Sequence, residues 1–325
     1  MQKLKNNKPI LIAAGEPNSV FLEIFFKSIK TNTFKSPLII IVSKRLLQEQ
    51  MKKLGFAFKI NIINKNLDKL DKLNNKKINL IDVEYEFNKC FEKISDKSNN
   101  YIKETFSVAL DILYKKKFTK FINGPISKKD FLKGKSLGIT EYLAKKTKKK
   151  NKVAMLIFNK KLSVSPITTH LALKDVHRNI SKKKIYTHIK LITEFYRKNF
   201  KKKPTIAITG LNPHCESNFK NCEENSIILP AIKRLKTKNF KVEGPFPADT
   251  IFTHDHLKKF DVIVGMYHDQ VLAPMKALFG FDAINITLGL PFLRITPDHG
   301  PNYSMLGKNL SDPKSLIEAL KFLDR

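Results

Sequence analysis

Long apolar runs are missing from this 325-residue sequence. None approaches the roughly 20 residues that a membrane-spanning helix needs, so no membrane partner is expected. The apolar stretch Ile10–Ala14, after the basic start, is too short for a signal-peptide core. It runs into Gly15-Glu16-Pro17 and reads as a first β-strand. Cysteine is scarce: Cys90, Cys215 and Cys222 stand at irregular spacing and offer no disulfide framework. The expected compartment is therefore the reducing cytoplasm. No G-x-G-x-x-G follows the first strand, and no Walker A motif occurs anywhere, so the standard nucleotide-binding signatures are excluded. Neither a Gly/Ser-rich linker nor an internal repeat divides the chain. The length allows two domains, and these would be interleaved rather than strung in series.

Acidic residues are also few. Twenty-nine Asp and Glu face 61 Lys and Arg, for a net charge of +32. Such a charge can mark a nucleic-acid partner. Here the lysines are scattered (Lys115–Lys117, Lys145–Lys150, Lys182–Lys184, Lys201–Lys203) beside abundant Asn, as on solvated faces. A nucleic-acid partner is not expected. The positive field would help to gather phosphorylated substrates, an effect weakened by salt.

What is present is an alternation of strand and helix patterns. Apolar runs at 9–13, Leu38–Val42, Phe58–Ile63, Ile78–Ile81 and Thr119–Ile122 read as strands. Val20–Ile29, Arg45–Leu54 and Tyr101–Lys116 between them have helical spacing. The middle third repeats the pattern. Val153–Phe158 and Leu162–Pro166 are strands, paired as a hairpin through Asn159-Lys160-Lys161. Ser181–Phe200 is a helix, Thr205–Thr209 a strand, Glu223–Leu235 a helix, and Pro245–Thr250 a structured loop. Val262–Val264 is a further strand, and a helix over 313–323 closes the chain. The alternation implies an α/β fold with a mostly parallel sheet.

Three histidines stand at equivalent places. His170, His214 and His268 each come just after a strand-like run. Ligands of open α/β sheets collect at the carboxyl ends of strands, and three imidazoles there can hold a borderline divalent ion. Each alone could equally be a polar residue near a turn. His177, His188, His254 and His256 lie in helical or polar contexts and read as surface, and Cys215 as a small buried hydrophobe. Lys276, Asn285 and Arg294 follow His268. Arg294 comes after the apolar Leu288–Leu293, where a solvated face is not expected, and its fork suits phosphate or carboxylate. Gly138-Ile139-Thr140-Glu141 offers either an anion site at a helix N-terminus or an ordinary cap by Thr140. Asp249 is a candidate acid/base or orienting carboxylate. The residues alone lead to a metal-dependent enzyme acting on a small anion.

The same residues carry a family resemblance. Gly15-Glu16-Pro17, Asn123-Gly124-Pro125-Ile126-Ser127-Lys128, Gly138-Ile139-Thr140-Glu141-Tyr142-Leu143-Ala144 and Thr168-Thr169-His170-Leu171 occur in that order. Leu211-Asn212-Pro213-His214, Gly244–Thr250, Met266-Tyr267-His268-Asp269-Gln270, Asn285–Phe292, Arg294 and Asp298-His299-Gly300 follow. Together they resemble the 4-hydroxythreonine-4-phosphate dehydrogenases of vitamin B6 synthesis, over nearly the whole chain.

The resemblance implies two α/β/α domains around a cleft, as in isocitrate and isopropylmalate dehydrogenases. Residues 1–128 plus 272–325 would form the cofactor-side domain, and residues 129–271 the metal and dimer side. It implies a homodimer with a shared active site and NAD or NADP bound without a Rossmann fingerprint. One divalent metal (Zn, Mg or Co) would be held by His170, His214 and His268, one of them from the partner subunit. Thr140, Lys276, Asn285 and Arg294 would bind a phosphorylated substrate, and Asp298 and His299 the cofactor. Asp249 and Lys276 are the candidates for acid/base work. The implied reaction oxidises 4-phosphohydroxy-L-threonine and decarboxylates the product to 3-amino-1-hydroxyacetone phosphate.

Three departures stand against the family pattern. Ile139 occupies the position of a substrate-contacting His, Asn18-Ser19-Val20 replaces a glycine-rich stretch, and Glu216-Ser217-Asn218 replaces a Gly-Glu. A lost hydrogen-bonding partner is where specificity moves, so a related phosphorylated four-carbon hydroxy acid is an alternative substrate. A basic nucleic-acid-binding protein on a retired enzyme scaffold and a metal-dependent phosphatase are the readings from other classes.

Overall fold

Parallel sheets covered on both faces are built from unbroken apolar strands, and the first two strands follow that rule. β1 (Ile10–Ala13) and β2 (Leu38–Val42) are buried at every position. The computed structural model describes residues 8–67, 73–115, 118–132, 138–149, 152–216, 222–280, 283–297 and 300–325. Around β1 and β2 run α1 (Phe21–Thr31), α2 (Lys44–Lys53), β3 (Ile60–Ile62), β4 (Ile78–Asp82), α3 (Asn99–Lys115) and β5 (Lys120–Asn123). Then come α4 (Ile139–Lys146), β6 (Ala154–Phe158), β7 (Ser163–Pro166), α5 (Lys182–Phe200), β8 (Ile206–Thr209) and α6 (Leu229–Thr237). β9 (Val242–Phe246), α7 (His254–Lys259), β10 (Val262–Gly265), α8 (His268–Phe279), β11 (Ile284–Leu288), β12 (Leu293–Pro297) and α9 (Lys314–Leu323) complete the order.

Two compact units divide the chain, one formed by Met1–Ile139 with Pro291–Arg325, the other by Thr140–Leu290. The boundaries differ from those expected at 128/129 and 271/272. The later one shifts because α8 packs on β7 and β10 and because β11 pairs antiparallel with β6, Ile286 opposite Leu156. Residues 272–290 therefore belong to the second unit.

The first unit is a parallel sheet in the order β3-β4-β2-β1-β5-β12. α1 buries Phe21, Leu22, Ile24, Phe25 and Phe26. The C-terminal segment is tied on by carboxylates. Buried Glu23 accepts from the Ser311 N–H at 2.6 Å and from Lys27 Nζ at 2.9 Å. Asp324 accepts from the backbone N–H groups of Ser36 at 2.6 Å and Lys35 at 2.9 Å. α2 starts on a side-chain cap, Ser43, whose hydroxyl accepts from the Leu46 N–H at 3.3 Å. Ser43→Ala should cost about 1 kcal/mol in urea unfolding. An unchanged midpoint would mean that the cap adds nothing.

The second unit has the order β11-β6-β7-β10-β8-β9. β6 and β7 form the expected hairpin, and β7, β10, β8 and β9 are parallel. β9 replaces part of the loop expected over Pro245–Thr250. Its Pro245 has no N–H to give a ladder, so the strand fits only at an edge, and β9 is the terminal strand of this order. Val164, Ala207, Ile263, Val271 and Met275 pack as one apolar cluster beneath the strand ends. Among the described residues no helix is long and apolar enough to cross a membrane.

Candidate active site

Three neighbouring strands of the second unit deliver the three histidines. β10 lies between β7 and β8, parallel to both, with Val264 opposite Ser165 and Ile208. Their carboxyl ends therefore share one edge of the sheet. His170 follows β7, His268 follows β10 and His214 follows β8. The His170 and His268 rings are 5.9 Å apart, tilted by 39°. His268 is half-exposed, and its Nδ1 lies 2.6 Å from Asp269 Oδ1. A neighbouring carboxylate on one ring nitrogen is the usual way to aim the other at a metal. His214 is exposed and sits in a left-handed turn, with φ 55° at His214 and 60° at Cys215. Among the described residues no three His, Cys, Asp or Glu side chains gather as a metal-holding group. The structure thus joins two of the three expected ligands and leaves His214 apart from them.

Buried polar side chains fix the loops. The Thr168 N–H and hydroxyl both donate to the Met266 carbonyl, at 3.1 and 2.7 Å. Gln270 takes the Met266 N–H on Oε1 at 2.6 Å, accepts from the Thr209 hydroxyl at 2.9 Å and donates through Nε2 to the Gly210 carbonyl at 2.8 Å. Glu224, 1% exposed, accepts from the N–H groups of Leu211 at 2.8 Å and Asn212 at 2.9 Å, and from Asn212 Nδ2 at 2.9 Å. Burial alone would raise the Glu224 carboxyl. The donors from Asn212 and Leu211 outweigh it and hold the group below the usual carboxylate range. Sequence reasoning missed both residues. A single Gln or Glu in a helical stretch carries no signature of a partner 61 or 13 residues away.

The other expected residues fall as follows. Thr140 is buried inside the first turn of α4 rather than capping it, and its hydroxyl is 3.4 Å from that of Thr287. Asn285 lies on β11 opposite Ile157, and its Oδ1 is buried without a hydrogen-bond partner. Lys276 is half-buried in the last turn of α8. Asp249 is exposed after β9. Arg294, on β12 of the first unit, is 1% exposed and donates from Nε to Asn123 Oδ1 at 2.8 Å. The expectation that no solvated face occurs there fits that burial. Asp298 and His299 lie outside the described residues. His188, expected at the surface, is 4% exposed on α5. Ile185, Ile189 and Ile192, at helical spacing around it, turn it inward. Burial first, then the nearby Lys184 ammonium, pushes its pKa down to about 3 against a hydrogen bond to the Pro166 carbonyl.

A divalent cation suits the electrostatics. Carboxylates are scarce in this chain, yet each of these loops has one beside it. Burial pushes the Cys215 thiol up, and the charges of Glu224, Asp249 and Glu216 add to that shift. Asp269 is on His268, and Glu141 Oε1 accepts from the hydroxyl of Thr169, the neighbour of His170, at 3.2 Å. Two imidazoles on one ion, each with its nitrogen about 2 Å from the metal, place their centroids roughly 5 Å apart, near the separation observed. The spacing of these two imidazoles suits a borderline divalent ion.

The family model described as pyridoxal phosphate biosynthetic protein PdxA matches residues 33–323. A 4-hydroxythreonine-4-phosphate dehydrogenase of Sulfurihydrogenibium sp. (strain YO3AOP1) is 38% identical over 317 residues, covering 96% of each chain. A protein of Oceanobacillus iheyensis, named provisionally as a D-threonate 4-phosphate dehydrogenase, is 32% identical over 324 residues and 97% of each chain. The crystal structure of the Klebsiella pneumoniae 4-hydroxythreonine-4-phosphate dehydrogenase aligns with TM-score 0.83 and 26% identity, covering 98% of this chain and 97% of that one. For the fold alone, isocitrate dehydrogenase from Methylococcus capsulatus aligns at TM-score 0.51 and 9% identity, over 96% of this chain and 83% of that one. The expected likeness of fold to isocitrate dehydrogenase holds.

Proposed function

The chain belongs to the PdxA family of NAD(P)-dependent dehydrogenases, and from that premise we propose that it oxidises 4-phosphohydroxy-L-threonine, the product decarboxylating to 3-amino-1-hydroxyacetone phosphate. The observation that carries the metal-assisted part is the pairing of the His170 and His268 rings at the shared strand edge. The ion is held by His170, His214 and His268 in a homodimer, one of the three coming from a second copy. That arrangement accounts for His214 standing apart within one chain.

A divalent ion supplies Lewis acidity to the substrate oxygens, and the nicotinamide supplies the hydride acceptor. The chain's own residues bind and orient. The open acceptor at Asn285 Oδ1 takes a substrate N–H or O–H. Thr140 and Lys276 add a hydroxyl and an ammonium group. The Arg294 guanidinium, fixed through Nε by Asn123, is the fork for phosphate. Asp249 and Lys276 are the candidates to take the hydroxyl proton. Asp298 and His299 are assigned to the cofactor.

One observation favours a second substrate. The full-length relative named for D-threonate 4-phosphate fits with Ile139, half-buried at the start of α4, where a polar contact is absent. NAD(P) reduction should be followed with both phosphorylated acids, with and without a chelator. Turnover of the threonine derivative at least about tenfold above the threonate, a difference of 1.4 kcal/mol, supports the first reading. The reverse ratio supports the second. Turnover that survives complete metal removal would sink the metal-assisted mechanism.

A further inference from the structure

Gln270 and Glu224 lie at the junction of the histidine loops, and neither has a part in the chemistry above. Gln270 is 8% exposed in the first turn of α8. Its amide spans from the end of β10 to the end of β8, the strands that carry His268 and His214. Glu224 opens a wide π-type turn before α6 and holds the next residues, Leu211 and Asn212. The same carboxylate takes the Asn212 side chain. Two residues further on, the backbone enters the left-handed turn at His214 and Cys215. Consecutive left-handed residues other than glycine are strained and persist only where the surroundings enforce them. The carboxylate anchoring the entry to that turn supplies the enforcement.

Space has been cleared for both side chains. A Cβ on Gly265 would meet Val271 Cγ1 at 2.5 Å and Gln270 Oε1 at 2.9 Å, and one on Gly210 would meet Cys215 Sγ at 2.7 Å and Glu224 Oε1 at 3.0 Å. A glycine at the end of β10 and another just after β8 therefore leave room for the neighbouring side chains, Gln270 and Glu224 among them. Thr168, bonded to the Met266 carbonyl, extends the linkage to the loop of His170. The result is a continuous hydrogen-bonded strut across the ends of β7, β10 and β8.

We propose that Gln270 and Glu224 are positioning residues for the metal site, setting how the loops of His214 and His268 present their imidazoles. The inference rests on the metal reading above. Residues that orient ligands typically change metal affinity by about 10–100-fold when replaced.

The test measures Zn²⁺ affinity of the full-length protein by competition with a chromophoric chelator, alongside NAD(P) affinity and melting temperature. Gln270→Met keeps length and loses all three bonds. Glu224→Ala removes the anchor, and Glu224→Gln keeps one acceptor oxygen for the two backbone N–H groups. The expected result is a Zn²⁺ Kd weakened about 10–100-fold in Gln270→Met and Glu224→Ala. Glu224→Gln should recover most of that loss, and NAD(P) affinity should stay within about twofold, too small a change to signal lost contacts. Ile189→Ala, a fully buried position on α5, serves as a destabilised control that removes none of the strut's hydrogen bonds. Its Zn²⁺ affinity should match the wild type despite a lower melting temperature. A Gln270→Met protein that binds Zn²⁺ as the wild type does overturns the inference, as does a control that loses affinity equally. A wild-type protein that takes up no Zn²⁺, or a His268→Ala protein that binds it unchanged, overturns the metal reading itself and this inference with it.

Discussion

His268→Ala is expected to lower NAD(P) reduction by about a thousandfold. Lewis-acid polarisation by a bound metal is worth several kcal/mol, and about 4 kcal/mol corresponds to a factor of a thousand. His268 is one of two imidazoles that the strand edge brings together, 5.9 Å from His170. With its Nδ1 on Asp269, its other nitrogen is the one available for an ion. Removal leaves a donor set too small to hold that ion firmly. Stability should hardly change, because the side chain is 36% exposed and exposed substitutions usually fall within about 0.5 kcal/mol. Loss of activity without loss of melting temperature is therefore the signature. Asp269→Asn should cost less, about 10–100-fold, since it only orients the ring. A His268→Ala enzyme that keeps more than about a tenth of wild-type kcat/KM, a loss under 1.4 kcal/mol, would remove His268 from the ligand set.

Acid should weaken the fold through His188. In the unfolded chain a histidine takes a proton near pH 6.5, whereas in the fold this one resists until about pH 3. Between those values the unfolded state binds more protons, so stability falls as pH falls. The contribution is complete above pH 6.5, declines by about 1.4 kcal/mol per pH unit below it, and levels off near pH 3. The groups that oppose protonation are the buried setting and the Lys184 ammonium one turn away on α5. The Pro166 carbonyl favours the charged ring but is outweighed. Nε2 is buried without a hydrogen-bond partner, so a proton there would have nowhere to donate. Urea unfolding of the wild type and His188→Gln at pH 7 and pH 4.5 isolates this residue from the titrating carboxylates. The gap between the two proteins should shift by about 2–3 kcal/mol in favour of the variant at the lower pH. Parallel pH profiles would show that the burial of His188 has no such consequence.

The placement of the three histidines at one sheet edge was legible because chain geometry dictates it. His170, His214 and His268 each follow an apolar run, and a parallel sheet sends such runs to one edge. Arg294 was legible from its apolar approach, and it is buried. Other parts depend on distant pairing. Gln270 and Glu224 act through backbone groups that become neighbours only when β8 and β10 are laid side by side. His188 had a usable signal, the isoleucines at helical spacing, which the lysines before it masked. β9 was hidden by Gly244-Pro245, a turn signal unless the strand is at an edge. The extent of the second unit was set by β11 returning to β6, a contact between segments about 130 residues apart that periodicity cannot announce.

The discontinuity of the first unit has a consequence for synthesis. β12 pairs with β5, yet a ribosome makes residues 124–292 between them. At about 5–20 residues per second that interval lasts on the order of ten seconds or more. Throughout it β5 has an open edge carrying Phe121 and Ile122, a template for pairing with a foreign strand. Residues 140–290 are complete before β12 emerges, so the second unit can close first while the first must wait for its last strand and helix.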